Sequence, residues 1–462
     1  MSMPDKEIER WNDKNQTARI IGIVCFCLTW LIFFNACSSN FFFSWKKEKK
    51  VEAQPPVKAE KKESAAPKTK PLPPSFVDSL NPPNKNPSRH EEKPSFDGIQ
   101  ITRLKQRSVD GLSNFLNFLK KNGIHAIYFR VFQNPGDAYF HILPIKAKTG
   151  VYFKTSYAPL VSDLLPVVCR LAHQQDIQVY AWMETLNASF IRCKKAKHIH
   201  RYDPSRKSIK STRRLTPFDR EVARCLCGLF SDLAKNAIDG VLIQDDLILH
   251  YNEDFSPVAI RSFKRDARLK RFLPAALYRF RKAEKGGMAF EEYTPLFWEW
   301  CRWKNRRLSG LLRKLMVSIK KSRPSAKVAV DINYEALSSP KNALAWYSRT
   351  IHVMEKIAHP DIYAVMAYQK QMQRELGLSE DAVYGKLGEM VVAAMRFVPN
   401  PERWAFKIQT IDWKTRKPLN SRQVTDALKS VRKAGPVQIF LMPFNPNLLN
   451  KERLARIQTS KK

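Results

Sequence analysis

From residue 96 onward, the chain changes repeatedly between two kinds of apolar pattern. Short apolar runs alternate with longer stretches in which apolar residues recur at helical spacing, and this alternation is typical of an α/β fold with a parallel sheet. We expect eight strands, at Ile99–Leu104, His125–Phe132, Ile177–Glu184, Ile238–Asp246, Lys327–Asn333, Ile362–Ala367, Trp404–Ile411 and Val437–Met442. We expect helices between them, at about 108–122, 159–175, 218–236, 296–322, 341–358, 380–397 and 421–434.

Eight such units within residues 96–450 predict a (β/α)8 barrel of the TIM type with long βα-loop insertions. The alternative is a doubly wound open sheet. No Gly-rich phosphate loop follows a predicted strand, however, and the chain has only 15 Gly. Two basic segments, 185–217 and 247–295, are the insertions, and in a barrel such loops line the face that carries the active site.

Residues 1–37 have the pattern of an export signal. A polar, basic stretch precedes the apolar run Ile20–Phe34, which is shorter than the ~20 residues of a permanent membrane span. Ala36 and Cys37 follow, and a small residue before Cys at this place favours a lipoprotein signal with Cys37 as the lipidation site. An uncleaved N-terminal anchor and a cytosolic chain are the alternatives.

Residues 38–95 are rich in Pro and Lys and poor in apolar residues, a composition that predicts a disordered linker. Residues 451–462 form a basic tail. Together with the signal, this organisation predicts an exported protein that is held on the extracytoplasmic side of a bacterial membrane, in the periplasm or at the outer membrane.

The chain has a large excess of positive charge. It holds 80 Lys and Arg against 43 Asp and Glu, a formal net charge of +37, and +32 of this lies in residues 96–462. Such an excess indicates nucleic acid, an anionic membrane surface or an acidic polymer as a partner. Export argues against nucleic acid.

Cysteine usage gives no sign of a metal site or a cofactor. Five of the eight Cys lie in the predicted barrel, and none forms a CxxC pair or a Cys/His set with zinc spacing. We expect buried free thiols, with one disulfide involving Cys193 as the alternative if the domain is exported. We therefore expect neither a metal nor another cofactor.

Carboxylates and aromatic residues gather at the ends of the predicted strands, where a barrel carries its functional groups. Paired carboxylates serve as acid, base or nucleophile at a glycosidic carbon, and aromatic rings pack on sugars. Asp245-Asp246 is the most suggestive pair, although only one should point into the barrel mouth because successive strand residues alternate in direction. Structural roles are the alternative for this pair, for Glu184 and for Trp182.

Residues 97–447 resemble the C-terminal glycoside-hydrolase domain of the bacterial poly-β-1,6-N-acetylglucosamine N-deacetylases. The matching stretches are collinear: His125–Phe132 with Asn134–Asp137, Val179–Met183, Arg214–Asp219, Asp239–Asp246, Glu253-Asp254, Ala345–Tyr347, Ala364–Ala367, and Gln409 with Asp412-Trp413. The resemblance implies a (β/α)8 barrel that binds and cleaves partly de-N-acetylated β-1,6-linked glucosamine polymer. It also implies a catalytic Asp245 with Asp246 beside it, and a groove lined by Trp182, Gln409 and Trp413.

This chain departs from the family at several positions. The first strand has Gln100 where the family has acidic residues, Gln244 replaces a His before the Asp pair, and Asn445 lies near the place of an acidic residue after the eighth strand. Gln369-Lys370 replaces a Pro-Tyr after the sixth strand. Only a signal and a linker precede the barrel, so we do not expect deacetylation. The family's groove is acidic because its polymer is cationic, whereas this barrel is basic.

Three functions remain open. The first is an extracytoplasmic glycoside hydrolase in which Asp245 acts with a second carboxylate from Asp246, Glu184 or Asp331, while the substrate is bound by Trp182, Asp331, Tyr368, Gln409, Asp412 and Trp413. The second is a catalytically inactive glycan-binding or scaffolding protein of the cell envelope. The third is a module that binds an anionic polymer through its basic loops. The oligomeric state stays open.

Overall fold

The computed structural model describes residues 97–448, apart from 138–139, 205 and 283–287. Eight parallel strands close into a barrel in which every strand pairs with its neighbours in chain order, and the eighth pairs with the first. These strands are β1 Gly98–Ile101, β2 Ala126–Arg130, β3 Gln178–Met183, β4 Gly240–Ile243, β5 Lys327–Asn333, β6 Ile362–Met366, β7 Trp404–Gln409 and β8 Gln438–Met442. The predicted (β/α)8 barrel is confirmed.

Helices follow the strands and surround the barrel. Most begin at a Ser, Thr, Asp or Asn whose side chain accepts a hydrogen bond from the first turn, as Ser108 does from the backbone of Gly111 at 3.0 Å. The α-helices are α1 Val109–Lys121, α2 Leu165–His173, α3 Arg220–Ala234, α4 Pro257–Asp266, α5 Pro295–Ser322, α6 Glu335–Ser338, α7 Pro340–Tyr347, α8 Ile351–Ile357, α9 Gln369–Leu376, α10 Glu380–Phe397 and α11 Ser421–Ala434.

Aromatic rings fill the barrel interior. Tyr128 stacks on Phe440 with ring centroids 4.1 Å apart and meets the edge of Tyr180 at 5.5 Å. Two glycines make room for these rings, since a Cβ on Gly98 would lie 2.3 Å from the Phe440 ring and one on Gly240 would lie 2.4 Å from the Tyr180 ring. The interior is therefore packed, and a ligand would reach the barrel from the face where the strands end.

The predicted helix 341–358 is broken into α7 and α8. Ser348 ends α7 with a φ of 53°, in the left-handed region, and its hydroxyl donates to the carbonyl of Leu249 at 2.9 Å. This contact turns the chain, because a continuous helix would carry the following residues away from the segment after β4. The prediction of a single helix was wrong at this point.

Both insertions contain β-structure. An antiparallel hairpin of His198–Asp203 and Ser208–Leu215 lies in the first insertion, and one of Tyr278–Lys282 and Met288–Tyr293 lies in the second. The second insertion also packs against α5 through aromatic contacts, for example Phe263 against Trp300 at 4.8 Å. The insertions are thus folded parts of the barrel face.

A disulfide fixes the first insertion to the barrel. Cys193, in the loop after β3, is bonded to Cys225 of α3. Cys169, Cys227 and Cys301 are free thiols, and the first and last of these are buried. The disulfide that was considered for Cys193 is present, while the expectation of a free thiol at Cys225 was wrong.

The predicted signal (1–37) with Cys37, the linker (38–95) and the tail (451–462) lie outside the described residues. In the part of the chain that the structure describes, no helix combines the length and the apolar character that crossing a membrane requires.

Candidate active site

Asp245 lies two residues beyond β4, at the mouth of the barrel, and is partly exposed. Burial raises the pKa of its carboxyl group, while the positive charges of Lys407 and Arg349 act in the opposite direction. Lys407 lies on β7, and Arg349 lies between α7 and α8, in the connection from β5 to β6. Asp245 is therefore a carboxylate set among cations, with access to solvent.

Asp246 has a different environment, although it is the next residue. Its carboxylate accepts hydrogen bonds from the Thr185 backbone at 2.8 and 3.0 Å, from the Thr185 hydroxyl at 2.9 Å and from the Asn187 backbone at 2.7 Å. Burial raises the pKa of Asp246 to about 6, and these hydrogen bonds oppose the rise. Asp246 thus holds the start of the first insertion in place.

Glu184 follows β3 and is buried, with 1% of its surface exposed. One carboxyl oxygen accepts from the Asn134 amide at 3.0 Å, and the other has no hydrogen-bond partner among the described residues. Burial and the charge of Asp246 raise the pKa of Glu184 to about 8. This carboxyl group therefore carries a proton near neutral pH.

Asp331 belongs to a buried ion pair inside the barrel. Its carboxylate lies 2.5 Å from the Lys407 ammonium, and the two side chains are 3% and 1% exposed. Arg349 donates to the backbone carbonyl of Asp331 at 2.6 Å. Burial raises the pKa of Asp331 to about 6, against the effect of Lys407. The carboxylate of Asp331 is therefore buried and already paired with Lys407.

The predicted residues near β6 and β7 come together but are mostly bound to protein groups. Gln409 is buried, and its side-chain oxygen accepts from the backbone of Lys370 and of Gln371 at 3.1 Å each, at the start of α9. Asp412 lies 2.5 Å from Arg374.

The Tyr368 and Trp413 rings meet edge to face at 5.5 Å. Tyr368 is buried, whereas Trp413 is partly exposed. Of these two aromatic rings, Trp413 is therefore the one open to a ligand.

Trp182 is 5% exposed and packs against protein groups. Its ring meets that of Phe132 edge to face at 5.8 Å, and the Arg130 guanidinium lies 4.2 Å from the Phe132 ring and 5.8 Å from that of Trp182. Arg130 also forms a buried ion pair with Asp137. The sequence considered both a sugar platform and core packing for Trp182, and this environment is that of a core residue.

The sequence did not predict a pair of Tyr–Glu contacts made by residues that follow β5. Tyr347 donates to Glu335 at 3.0 Å and Tyr334 donates to Glu375 at 2.9 Å. The second oxygen of Glu335 is buried without a hydrogen-bond partner in the described part of the chain. Burial raises the pKa of Glu335 to about 7. The sequence signal that could have identified Glu335 was its position just after β5, where a barrel carries its functional groups.

Tyr347 connects this pair to Asp245. Burial, then the charge of Glu335 and more weakly that of Asp245, raise the pKa of Tyr347. The mouth therefore brings together a partly exposed carboxylate among cations and a buried carboxyl group that holds a proton up to about neutral pH. This difference in surroundings suits acid and base roles.

One group of side chains in the described residues has the spacing of metal ligands, namely Cys193, Glu221 and Cys225. Its two sulfur atoms are joined in the disulfide. A thiolate is the form that binds a metal, so the oxidised group does not fit one.

Comparison with known proteins agrees with the fold and with the resemblance seen in the sequence. Residues 103–440 match the model of a family described as hypothetical glycosyl hydrolase family 13. The poly-beta-1,6-N-acetyl-D-glucosamine N-deacetylases of Escherichia coli K12 and O157:H7 are 26% identical over 258 residues. This match covers 53% of the chain but only 33% of either relative, so the chain spans about a third of their length.

A solved structure shares the fold. The PgaB (BpsB) glycoside hydrolase domain from Bordetella bronchiseptica superposes with a TM-score of 0.58 and 21% sequence identity. The superposition covers 79% of this chain and 98% of that domain. The barrel fold of this chain therefore also occurs in a glycoside hydrolase domain.

Proposed function

Because this chain belongs to the hypothetical glycosyl hydrolase family 13, we propose that its barrel hydrolyses O-glycosidic bonds in an amino-sugar polysaccharide. The name of the Escherichia coli relatives, which specifies poly-beta-1,6-N-acetyl-D-glucosamine, supports an amino-sugar polymer as the substrate. One observation carries the proposal. Of the four carboxylates that the sequence offered for catalysis, Glu184, Asp245, Asp246 and Asp331, only Asp245 keeps partial exposure at the mouth.

The surroundings of the two groups distribute the roles in this proposal. Burial raises the pKa of Asp245, while Lys407 and Arg349 favour its ionised form, the form that a base or nucleophile at the sugar's anomeric carbon requires. Glu335, with a pKa raised to about 7 by burial, suits the acid that protonates the leaving oxygen. Glu184 is the alternative acid. Asp246 acts as a positioning residue, because the loop backbone occupies its oxygens.

The test is hydrolysis of β-1,6-linked glucosamine oligomers of graded acetylation by the full-length chain in detergent. Asp245→Asn should lower the rate by about 10²–10⁴-fold, the usual contribution of such a group. The rate should fall as the pH rises through about 7, where Glu335 loses its proton, and Glu335→Gln should lack this limb.

Asp426→Asn is the matched control, since that carboxylate lies on the outer helix α11 and pairs with Arg422 there. Wild-type rates in Asp245→Asn would refute the catalytic assignment. A pH limb that survives in Glu335→Gln and disappears in Glu184→Gln would move the acid role to Glu184.

We also propose that the barrel functions outside the cytoplasm. The Cys193–Cys225 disulfide supports this, because such bonds persist in oxidising compartments. Cells lysed under thiol-blocking conditions should yield protein in which these two Cys are protected until a reductant is added. Anchoring through Cys37 remains part of the proposal, and Cys37→Ser should release the protein from the membrane fraction; labelling of both Cys without reductant would contradict export.

A catalytically inactive glycan-binding protein is the second candidate. The buried Asp331–Lys407 pair favours this function, because Asp331, one of the predicted catalytic carboxylates, is bound to Lys407 and is not free to act on a substrate. Retained oligomer binding by wild type and Asp245→Asn, with no cleavage by either, would decide for this function.

A further inference from the structure

The first insertion, residues 185–217, carries ten Lys and Arg and a single acidic residue, Asp203. It is held firmly against the barrel. The Glu253 carboxylate, which is fully buried, pairs with Arg214 at 2.5 Å and with Arg201 at 2.9 Å. Arg214 also donates to the backbone carbonyl of Asp246 at 3.0 Å. Together with the disulfide from Cys193, these contacts make the insertion a fixed extension of the mouth.

Three of its ten cations are paired with carboxylates, since Arg206 also pairs with Asp203 at 3.7 Å, although Glu253 can balance the charge of only one of its two Arg partners. The other seven have no carboxylate within ion-pair distance in the part of the chain that the structure describes, and all are exposed. We call these seven the basic platform: Arg192, Lys194, Lys195, Lys197, Lys207, Lys210 and Arg213.

The hairpin places like charges against each other. Arg201 lies directly opposite Lys210 in the antiparallel register, where like charges destabilise a sheet, and the pairing of Arg201 with Glu253 offsets only part of this repulsion. Lys194 and Lys195 are adjacent in sequence and both exposed. A polyanion would relieve this repulsion.

Inside the mouth, the cations near Asp245 are matched by carboxylates. Lys407 and Arg349 both act on Asp245, while Asp331 already pairs with Lys407. The protonated Glu184 adds no negative charge near neutral pH. A cationic polymer would therefore meet repulsion at the platform and a largely neutralised set of carboxylates inside.

We propose that the basic platform binds an acidic polysaccharide, a chain with carboxylate groups beside its amino sugars, and guides it into the mouth. This inference rests on the proposed function for the entry of the chain into the site, and it narrows the substrate to an anionic glycan. A glycan fits better than a membrane, because the hairpin exposes only one large apolar residue, Ile209. It fits better than nucleic acid, because the disulfide indicates export.

The test measures the dissociation constants of the full-length chain for hyaluronan, for neutral N-acetylchitooligosaccharides and for cationic chitosan oligomers. Hyaluronan should bind most tightly, and its binding should weaken as salt rises from about 50 to about 300 mM. The platform variant, in which four lysines are changed to Gln, should bind hyaluronan at least about tenfold more weakly. It carries Lys194→Gln, Lys195→Gln, Lys207→Gln and Lys210→Gln.

A matched variant removes four exposed lysines from helices around the barrel, and it should keep wild-type affinity. It carries Lys314→Gln, Lys321→Gln, Lys429→Gln and Lys433→Gln. Equal losses in both variants, tighter binding of chitosan than of hyaluronan, or binding to phosphatidylglycerol vesicles without binding to hyaluronan would each overturn the proposal.

The two proposals fail in different ways. Hyaluronan binding that depends on the platform, without cleavage of hyaluronan or of any glucosamine oligomer, would refute only the hydrolase. Cleavage that depends on Asp245, with no affinity for hyaluronan, would refute only the acidic substrate.

Discussion

At the scale of single residues, the burial of Glu184 predicts how the stability of the barrel depends on pH. Its pKa rises from an ordinary 4.5 to about 8 in the folded barrel, because the group is buried. The folded state therefore holds this proton more strongly than the unfolded chain, and stability is lost as the pH rises from about 4.5 to about 8. Glu184→Gln, which cannot ionise, should be a few kcal/mol more stable than wild type at pH 9, since one pKa unit corresponds to about 1.4 kcal/mol.

The difference between the two proteins should shrink as the pH falls towards 4.5, and thermal unfolding across this pH range measures it. Glu291→Gln, at an exposed position, is the control and should follow wild type throughout. A constant difference between Glu184→Gln and wild type at every pH would show that ionisation of Glu184 costs the fold nothing.

The residue scale also shows what the sequence could predict of the site. Strand alternation predicted that Asp245 and Asp246 would differ, and they contact different groups. The environment of Glu335 was not predictable in the same way, because its partner Tyr347 comes from another helix and its pKa depends on burial. The pairing of Asp331 with Lys407 likewise joins two strands that are separated by β6.

At the scale of elements, Asp246 links two of them. Its carboxylate receives the backbone N–H groups of Thr185 and Asn187, so the insertion begins at a fixed point beside β4. Asp246→Ala would leave these donors unsatisfied, at about 1–3 kcal/mol each if they stay buried. We expect hydrogen exchange at the Thr185 amide to accelerate by more than tenfold, as roughly 1.4 kcal/mol already corresponds to a factor of ten.

Asp203→Ala, at the tip of the same hairpin, is the matched control for this measurement. It should leave exchange at Thr185 unchanged, because Asp203 pairs with the exposed Arg206 at the end of the hairpin. Unchanged protection in Asp246→Ala would mean that other contacts, such as that of Arg214, are sufficient to hold the insertion.

The disulfide gives a second prediction at this scale. Cys193 and Cys225 are 32 residues apart, and closing a loop of this size stabilises a fold by about 3–4 kcal/mol in the chain-entropy treatment. The double variant Cys193→Ser/Cys225→Ser should therefore unfold at a lower temperature than wild type. Cys227→Ser, a free thiol in the same helix, should not show this loss, and wild type in reductant should resemble the double variant.

Barrel elements were easier to predict than the insertions. The strands of the barrel carry continuous apolar runs, and all eight were expected at the right places, with Lys327–Asn333 at its observed bounds. The hairpin of His198–Asp203 and Ser208–Leu215 was missed, because its exposed positions carry charges instead of a regular apolar alternation. The periodicity of apolar residues arises because one face of an element is buried. A hairpin that lies on the surface buries few side chains and therefore shows little of this periodicity.

At the scale of the whole molecule, the sequence placed positive charge in the two insertions but did not show which of these charges are paired. Glu253 pairs with both Arg201 and Arg214 from a buried position, while the platform residues remain unpaired by carboxylates in the described part of the chain. The charge of the platform could instead have been balanced by carboxylates of the barrel. Its concentration beside the mouth is what makes the charge relevant to substrate choice.

Closure of the barrel is the property that joins the two ends of the folded domain, and Asp97 is central to it. Its carboxylate accepts from the Arg432 guanidinium at 2.6 Å and from the Ile439 backbone at 2.7 Å, and its own backbone N–H donates to the Ile439 carbonyl at 2.8 Å. These contacts join residues more than 330 positions apart. Asp97→Ala should lower the free energy of unfolding by about 1–3 kcal/mol, as expected for hydrogen bonds to a charged group.

Denaturant unfolding of the full-length chain measures this loss, and Asp97→Asn should retain part of the stability because its amide oxygen can still accept from the Ile439 backbone. If β1 and β8 separate as one unit, hydrogen exchange in Asp97→Ala should increase along both strands together, including at Leu441, which pairs with Ile99. Faster exchange in β8 alone would show that β1 is held mainly by β2, and that β8 can open without β1.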